Sequence, residues 1–355
     1  MAVEERVQIA IDNWAPRFLA NGIDPNDFQR VTSRVTSWDD WLREWSACAA
    51  VHVQLGELAE AEHCYESAGL HYFHAAMAYH FGKFLFVQQP DELRAGHQRV
   101  VQTYQRGLAY FDPPAERVAI PYEDGVPIYG LLRKPWHVPK PPVVVLMPGL
   151  DSVKEEMHNY GDDMLRRGMA VLAIDGPGQG EMEAERPLRH DYEVPIHHVI
   201  DYLASRSDVS ATRIGLLGVS LGGYFSVRSA AFEPRVKAAI CLAGAYSLGQ
   251  RFDSSPLLTR EAFVYRTKSA NEAEARAKLQ SFDLQGVVSK VTCPLLVIIG
   301  RRDRLFPPED SERLVAEAGG EAELWLFEEG NHVCNNIPYK YRPQQADWLR
   351  KRLRE

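Results

Sequence analysis

Three residues far apart in the chain have the types and local settings needed for attack on a carbonyl group. Ser220 sits in Gly218-Val219-Ser220-Leu221-Gly222-Gly223, between the apolar run RIGLLG (213–218) and a helix-like segment YFSVRSAAF. Glycines on both sides let a strand turn sharply into a helix, which presents the serine hydroxyl at the strand's end. A hydroxyl is a weak nucleophile near neutral pH until a neighbouring base takes its proton. His332, in EEGNH after the run AELWLF, is the side chain type that titrates in that range, and Asp303, in GRRDRLFPP after PLLVIIG, is placed to orient it. The order serine, acid, histidine, each on the loop after its own strand, is one of the arrangements such a triad adopts. Asp310 and Glu328 are the alternative acids. A GxSxG pattern alone occurs by chance, so its setting between strand and helix and the two partners carry the expectation.

An acyl transfer through a tetrahedral intermediate also needs donors for the oxyanion. The backbone N–H of Leu221, at the start of the helix, is one expected donor. The second is the N–H of Leu150, in Pro148-Gly149-Leu150-Asp151 after the run PVVVLM. An inward carboxylate at Asp151 would oppose an oxyanion, so that side chain is expected to face substrate or to point away. The segment DGPGQGE (175–181) lacks both the GxGxxG spacing and a Walker lysine, and reads as a structural turn rather than a phosphate cradle.

These loops need a scaffold. Residues 117–135 read as a hairpin turning at Asp124-Gly125, followed by the runs PVVVLM, AVLAID, RIGLLG, VKAAICLAG, PLLVIIG and AELWLF with helical segments between them. Apolar runs without alternation are what strands buried on both faces look like, and helical crossovers make neighbours parallel. The fold class is therefore α/β, with a mostly parallel central sheet. Before residue 112 the apolar positions recur at three- and four-residue steps, predicting a helical region over 1–112. The core then spans 113–244 and 292–355, and residues 245–291, too long for an ordinary connection, are expected to form a cap with the N-terminal helices.

The formal charge of −8 and the absence of a basic stripe argue against a nucleic-acid partner. No run approaches the roughly 20 apolar residues of a membrane span, and the acidic start MAVEERVQIA is unlike a secretory signal. The expectation is a cytoplasmic protein with a small-molecule substrate and no membrane partner. Five scattered cysteines, with no CxxC pair, predict neither a disulfide framework nor a zinc site. No metal and no cofactor are expected.

The motifs PGLDSVKEE, DGPGQGE, GVSLGG, GRRDRLFPP and GNH, behind a helical N-terminus ending in KFLF, resemble the group of α/β hydrolases that contains 2,6-dihydroxypseudooxynicotine hydrolase, the fungal heptaketide hydrolases and FrsA-type esterases. The resemblance implies an α/β-hydrolase fold, with the family's nucleophile, acid and base on Ser220, Asp303 and His332. It also implies hydrolysis of a carbon–carbon bond beside a ketone in an acyl-phenol, β-dicarbonyl or polyketide-like substrate. A carboxylesterase or thioesterase acting on a bulky acyl group is the alternative, since only the leaving group differs; a binding protein that kept the fold is a third. Asp151, Tyr72, His74, His80 and Tyr246 are candidate substrate-binding residues, against the alternative that helix-borne aromatics pack in their own core. The apolar helical region is compatible with a homodimer.

Overall fold

Residues 3–354 are described by a computed structural model, in which the chain divides into two units, Met1–Arg117 and Val118–Glu355. The first is helical: α1 (Glu5–Ala20), α2 (Pro25–Thr32), α3 (Trp38–Ala61), α4 (Tyr65–Lys83) and α5 (Pro90–Gly107). Its centre is aromatic. Phe18 lies 4.1 Å from Phe81, centroid to centroid, and edge-on to Trp45 at 5.4 Å. Small residues let α3 and α4 approach closely. A Cβ at Gly56 would lie 2.6 Å from the Tyr72 ring, and one at Gly82 would lie 2.9 Å from Trp45. Side chains there would force the hairpin apart.

The second unit contains the sheet, apart from the first three residues of its first strand. Its strands are β1 (Ala115–Ile120), β2 (Ile128–Arg133), β3 (Pro142–Met147), β4 (Ala170–Asp175), β5 (Ser210–Val219), β6 (Val236–Leu242), β7 (Leu295–Gly300) and β8 (Ala322–Phe327). They lie in the order β1-β2-β4-β3-β5-β6-β7-β8. The β1–β2 connection carries Asp124 and Gly125 at φ of 52° and 75°, the left-handed conformation that tight hairpin turns use. β2 runs antiparallel to β4, and from β4 through β8 every neighbouring pair is parallel.

The helices of this unit are α6 (His158–Leu165), α7 (Glu193–Ser205), α8 (Leu221–Phe232), α9 (Leu257–Arg266), α10 (Glu272–Leu279), α11 (Pro308–Glu317) and α12 (Pro338–Arg352). Tyr160 and Met164 of α6 and Tyr341, Ala346 and Leu349 of α12 join Val144, Leu146, Leu217 and Ile240 of the sheet in one apolar core. Residues 245–291, which carry α9 and α10, belong to this second unit.

The chain passes from β3 to β4 on one side and then returns across β3 to β5 on the other. At such a reversal the loops leaving the two strands part, and the crevice beyond their carboxyl ends is where open α/β sheets hold ligands. Those two loops carry Pro148-Gly149-Leu150 and Ser220.

Candidate active site

Ser220 links β5 to α8 at φ 58° and ψ −118°, a conformation that costs a side-chain-bearing residue about 1–3 kcal/mol. Its surroundings enforce that turn. A Cβ at Gly218 would come 1.7 Å from the Gly222 carbonyl oxygen, and one at Gly222 would come 2.1 Å from the carbonyl oxygen of Met147. Only glycine fits at either position. The Ser220 N–H donates to the Leu242 carbonyl at 2.8 Å, and the Gly223 N–H closes the turn onto the Ser220 carbonyl at 2.7 Å.

Two further loops reach this serine. His332 Nε2 lies 2.9 Å from Ser220 Oγ, and His332 Nδ1 lies 2.8 Å from Asp303 Oδ2. The other Asp303 oxygen accepts the N–H groups of Leu305 at 2.8 Å and Phe306 at 3.0 Å, and the carboxylate is fully buried. An acceptor at Nδ1 keeps the neutral ring's proton there, leaving the Nε2 lone pair for the hydroxyl. The Phe306 ring stands edge-on to the imidazole at 5.5 Å. Both alternative acids are engaged elsewhere: Asp310 pairs with Arg251 and Glu328 with Arg301.

The expected oxyanion donors lie on the adjoining elements. Leu221 is the first residue of α8, and the first N–H groups of a helix have no intrahelical acceptor. Gly149 backs directly onto the serine, since a Cβ there would sit 3.2 Å from Ser220 Cβ and 3.7 Å from Oγ. Leu150 follows it and is largely buried, and Asp151 comes next in the same turn, half-buried.

The remaining candidates are positioned differently. Tyr246 is buried, donates its hydroxyl to Glu317 at 2.6 Å and lies 3.9 Å beneath the Arg313 guanidinium. Tyr72, His74 and His80 belong to the helical unit. There, Tyr72 is buried with its hydroxyl donating to Glu60 at 2.6 Å, His74 stands edge-on to His52 at 5.4 Å, and His80 is buried beside Phe81. Among the described residues one set could approach a metal: Asp27, Cys48 and His52 bring ligand atoms within 4.8 Å of one another. His52 Nε2 is hydrogen-bonded to Asp27 at 2.8 Å and Arg30 pairs with the same carboxylate, so ordinary hydrogen bonding accounts for that grouping.

Sequence reading missed a buried ionic cluster beside the loop after β3. Lys154 Nζ lies 2.8 Å from both Glu155 and Asp175 and 3.6 Å from Glu181, and the lysine is completely buried. Burial pushes its ammonium pKa down, but Asp175, Glu155 and Glu181 outweigh this and hold it well above the usual range. Burial raises the Glu155 carboxyl pKa against the pull of Lys154. Asp175 also accepts the N–H groups of Lys154 at 2.8 Å and Glu181 at 3.2 Å, so it ties the loop after β3 to the glycine-rich loop after β4. Arg266, at the end of α9, donates to the Gly178 carbonyl and pairs with Glu183, both at 2.8 Å and all buried.

No helix among the described residues is long and apolar enough to cross a membrane. The chain is 33% identical over 342 residues to 2,6-dihydropseudooxynicotine hydrolase of Paenarthrobacter nicotinovorans, covering 95% of this chain and 90% of that one. It is 28% identical to the hydrolase LUC6 of a Fusarium species, over 86% of this chain and 85% of the relative. The crystal structure of the 2,6-dihydroxy-pseudo-oxynicotine hydrolase superposes with a TM-score of 0.89 at 31% identity, covering 96% of each chain. Residues 32–354 match the family described as esterase FrsA-like. The chain thus belongs to the FrsA-like esterase family and has the α/β-hydrolase fold.

Proposed function

We propose that this protein is a serine hydrolase that cleaves a carbon–carbon bond beside a ketone, with Ser220 as nucleophile, His332 as general base and acid, and Asp303 as the residue that orients the imidazole. The observation carrying this reading is the continuous hydrogen-bonded row from Ser220 Oγ through His332 to buried Asp303. Ser220 Oγ attacks the ketone carbon while His332 Nε2 takes the hydroxyl proton. The backbone N–H groups of Leu221 and Leu150 receive the resulting oxyanion. A bare carbanion is too basic to leave, so the substrate class is an acyl-phenol or β-dicarbonyl compound that can react as its keto tautomer. As the carbon–carbon bond breaks, its electrons pass to the departing carbon, which is stabilised by conjugation with a carbonyl and takes the proton from His332. Water, deprotonated by the same imidazole, then releases the acyl group as an acid and restores Ser220.

The choice of a carbon leaving group rests on the similarity to 2,6-dihydropseudooxynicotine hydrolase across nearly the whole chain. The esterase description of the matched family favours a second reading, hydrolysis of an ester through the same acyl-enzyme. Purified protein given ortho-hydroxyaryl ketones and p-nitrophenyl esters separates the two. Turnover of a ketone to a carboxylic acid and the free phenol, abolished by Ser220→Ala, is expected. Rapid ester turnover with every ketone untouched would replace the first reading by the second. Full ketone turnover by Ser220→Ala would overturn both.

A further inference from the structure

We infer that Gln179, in the glycine-rich loop after β4, is the positioning residue for the second oxyanion donor; the inference rests on the serine-hydrolase reading above. The side chain is completely buried, and its Nε2 donates two hydrogen bonds, to the Pro148 carbonyl at 2.8 Å and to the Gly149 carbonyl at 2.7 Å. Its Oε1 accepts the Tyr192 hydroxyl at 3.1 Å. Tyr192 is itself buried and stacked on Phe225 of α8, ring centroids 3.7 Å apart and planes within 7°. One carboxamide therefore has both amide hydrogens and its oxygen committed, with the hydrogens spent on two consecutive peptide groups.

Peptide geometry turns that contact into control of the donor. In a trans peptide the C=O and the following N–H point in opposite directions in one plane. Holding the Gly149 oxygen toward Gln179 thus fixes the Leu150 N–H on the other side, and holding the Pro148 oxygen fixes the Gly149 N–H in the same way. Glycine at 149 makes such a restraint necessary, because a residue without a Cβ tolerates rotation of its flanking peptides far better than others. If the Gly149–Leu150 peptide flipped, a carbonyl oxygen would stand where the N–H had been, and it would repel a developing oxyanion. Gln179 does not touch substrate; it acts by making the flipped state unfavourable. Asp175 and Lys154 anchor the next turn of the same two loops. The glycine-rich segment is therefore the brace of the donor loop rather than a passive turn.

Gln179→Leu keeps the apolar bulk and removes both donors. Losing one oxyanion donor reduces kcat by roughly 10²- to 10³-fold, so Gln179→Leu is expected to lower kcat by about that factor with KM within about threefold of wild type. Affinity for a trifluoromethyl ketone, which forms a tetrahedral adduct on the serine, should fall in parallel, while affinity for the carboxylic acid product should not. Tyr192→Phe keeps the stack on Phe225 and frees the far end of the carboxamide, and is expected to lower kcat by about three- to tenfold with the same split. If Gln179→Leu does not fold, Tyr192→Phe alone decides. A kcat within twofold of wild type, or a loss shared equally by the trifluoromethyl ketone and the product, would overturn the inference. Ser220→Ala run alongside separates the two levels: if it retains turnover, the nucleophile assignment fails; if it is inactive while the Gln179 and Tyr192 variants behave as wild type, only the positioning role falls.

Discussion

Replacing Asp303 by asparagine tests the orienting role of the carboxylate with almost no change in shape. Asp303 makes two kinds of contact, through different oxygens. Oδ1 receives the N–H groups of Leu305 and Phe306, and Oδ2 receives the His332 Nδ1 proton. An asparagine oxygen can keep the first pair, so the loop should hold. Its NH₂ group then faces Nδ1, which must become an acceptor, and the neutral ring's single proton moves to Nε2. That nitrogen now presents a proton to Ser220 Oγ where a lone pair is required. A wrong-tautomer histidine of this kind lowers turnover by about 10⁴-fold, equivalent to roughly 5.5 kcal/mol of transition-state stabilisation at about 1.36 kcal/mol per decade. Asp303→Ala, by contrast, also leaves two partly buried N–H groups without their acceptor, together costing about 1–3 kcal/mol. Initial rates on p-nitrophenyl acetate and urea midpoints for both variants give the comparison. Asp303→Asn should be nearly inactive at close to wild-type stability, and Asp303→Ala inactive and clearly less stable. More than a tenth of wild-type activity in Asp303→Asn, or a urea midpoint below that of Asp303→Ala, would refute this account of the site.

Three further outcomes are expected. Ser220→Gly should unfold at higher urea than Ser220→Ala, by roughly 1 kcal/mol, because only glycine relaxes the positive φ of the turn; equal midpoints would mean the turn is unstrained. Lys154→Met should cost about 3–5 kcal/mol by leaving Asp175 and Glu155 buried without their cation, and a loss under about 1 kcal/mol by the same urea measurement would contradict that. Burial, with repulsion from His52 and His71, lowers the His74 pKa from 6.5 to about 4, against the smaller pull of Asp27 and Asp24. Between these values the unfolded chain holds the extra proton, so wild-type stability should fall as pH drops from about 6.5 to 4, by at most roughly 3 kcal/mol. His74→Gln should flatten that slope in the pH dependence of the urea midpoint, and superimposable pH profiles would rule it out.

The strands were legible because burial on both faces leaves unbroken apolar runs. PVVVLM and AVLAID coincide with β3 and β4 to the residue; AELWLF coincides with β8, an edge strand that is only half-buried and carries Glu323. Ser220, Asp303 and His332 stood out for a different reason: a GxSxG pattern between strand and helix, then an acid and a histidine in that order, each after its own strand. The ionic cluster was not legible. Nothing in the local run Lys154-Glu155-Glu156 signals burial, and the partners that make it tolerable include Asp175, 21 residues away in sequence. Gln179 was hidden similarly, since glutamine has no spacing signature and its acceptors lie 30 and 31 residues upstream. Nor could periodicity reveal that the Tyr72 hydroxyl is bonded to Glu60, which depends on how α3 and α4 pack.

The buried guanidinium of Arg266 constrains how residues 245–291 can move. Hinging this segment outward as a rigid flap would pull Arg266 off the Gly178 carbonyl and break its ion pair with Glu183, giving up contacts whose partners are all buried. Removing one partner of a buried pair costs about 3–5 kcal/mol, so these contacts tie the end of α9 to the glycine-rich loop after β4. Insertions that lengthen or loosen residues 245–291 should therefore cost stability, because they work against this anchor, whereas single exchanges on the exposed faces of α9 and α10 leave it intact.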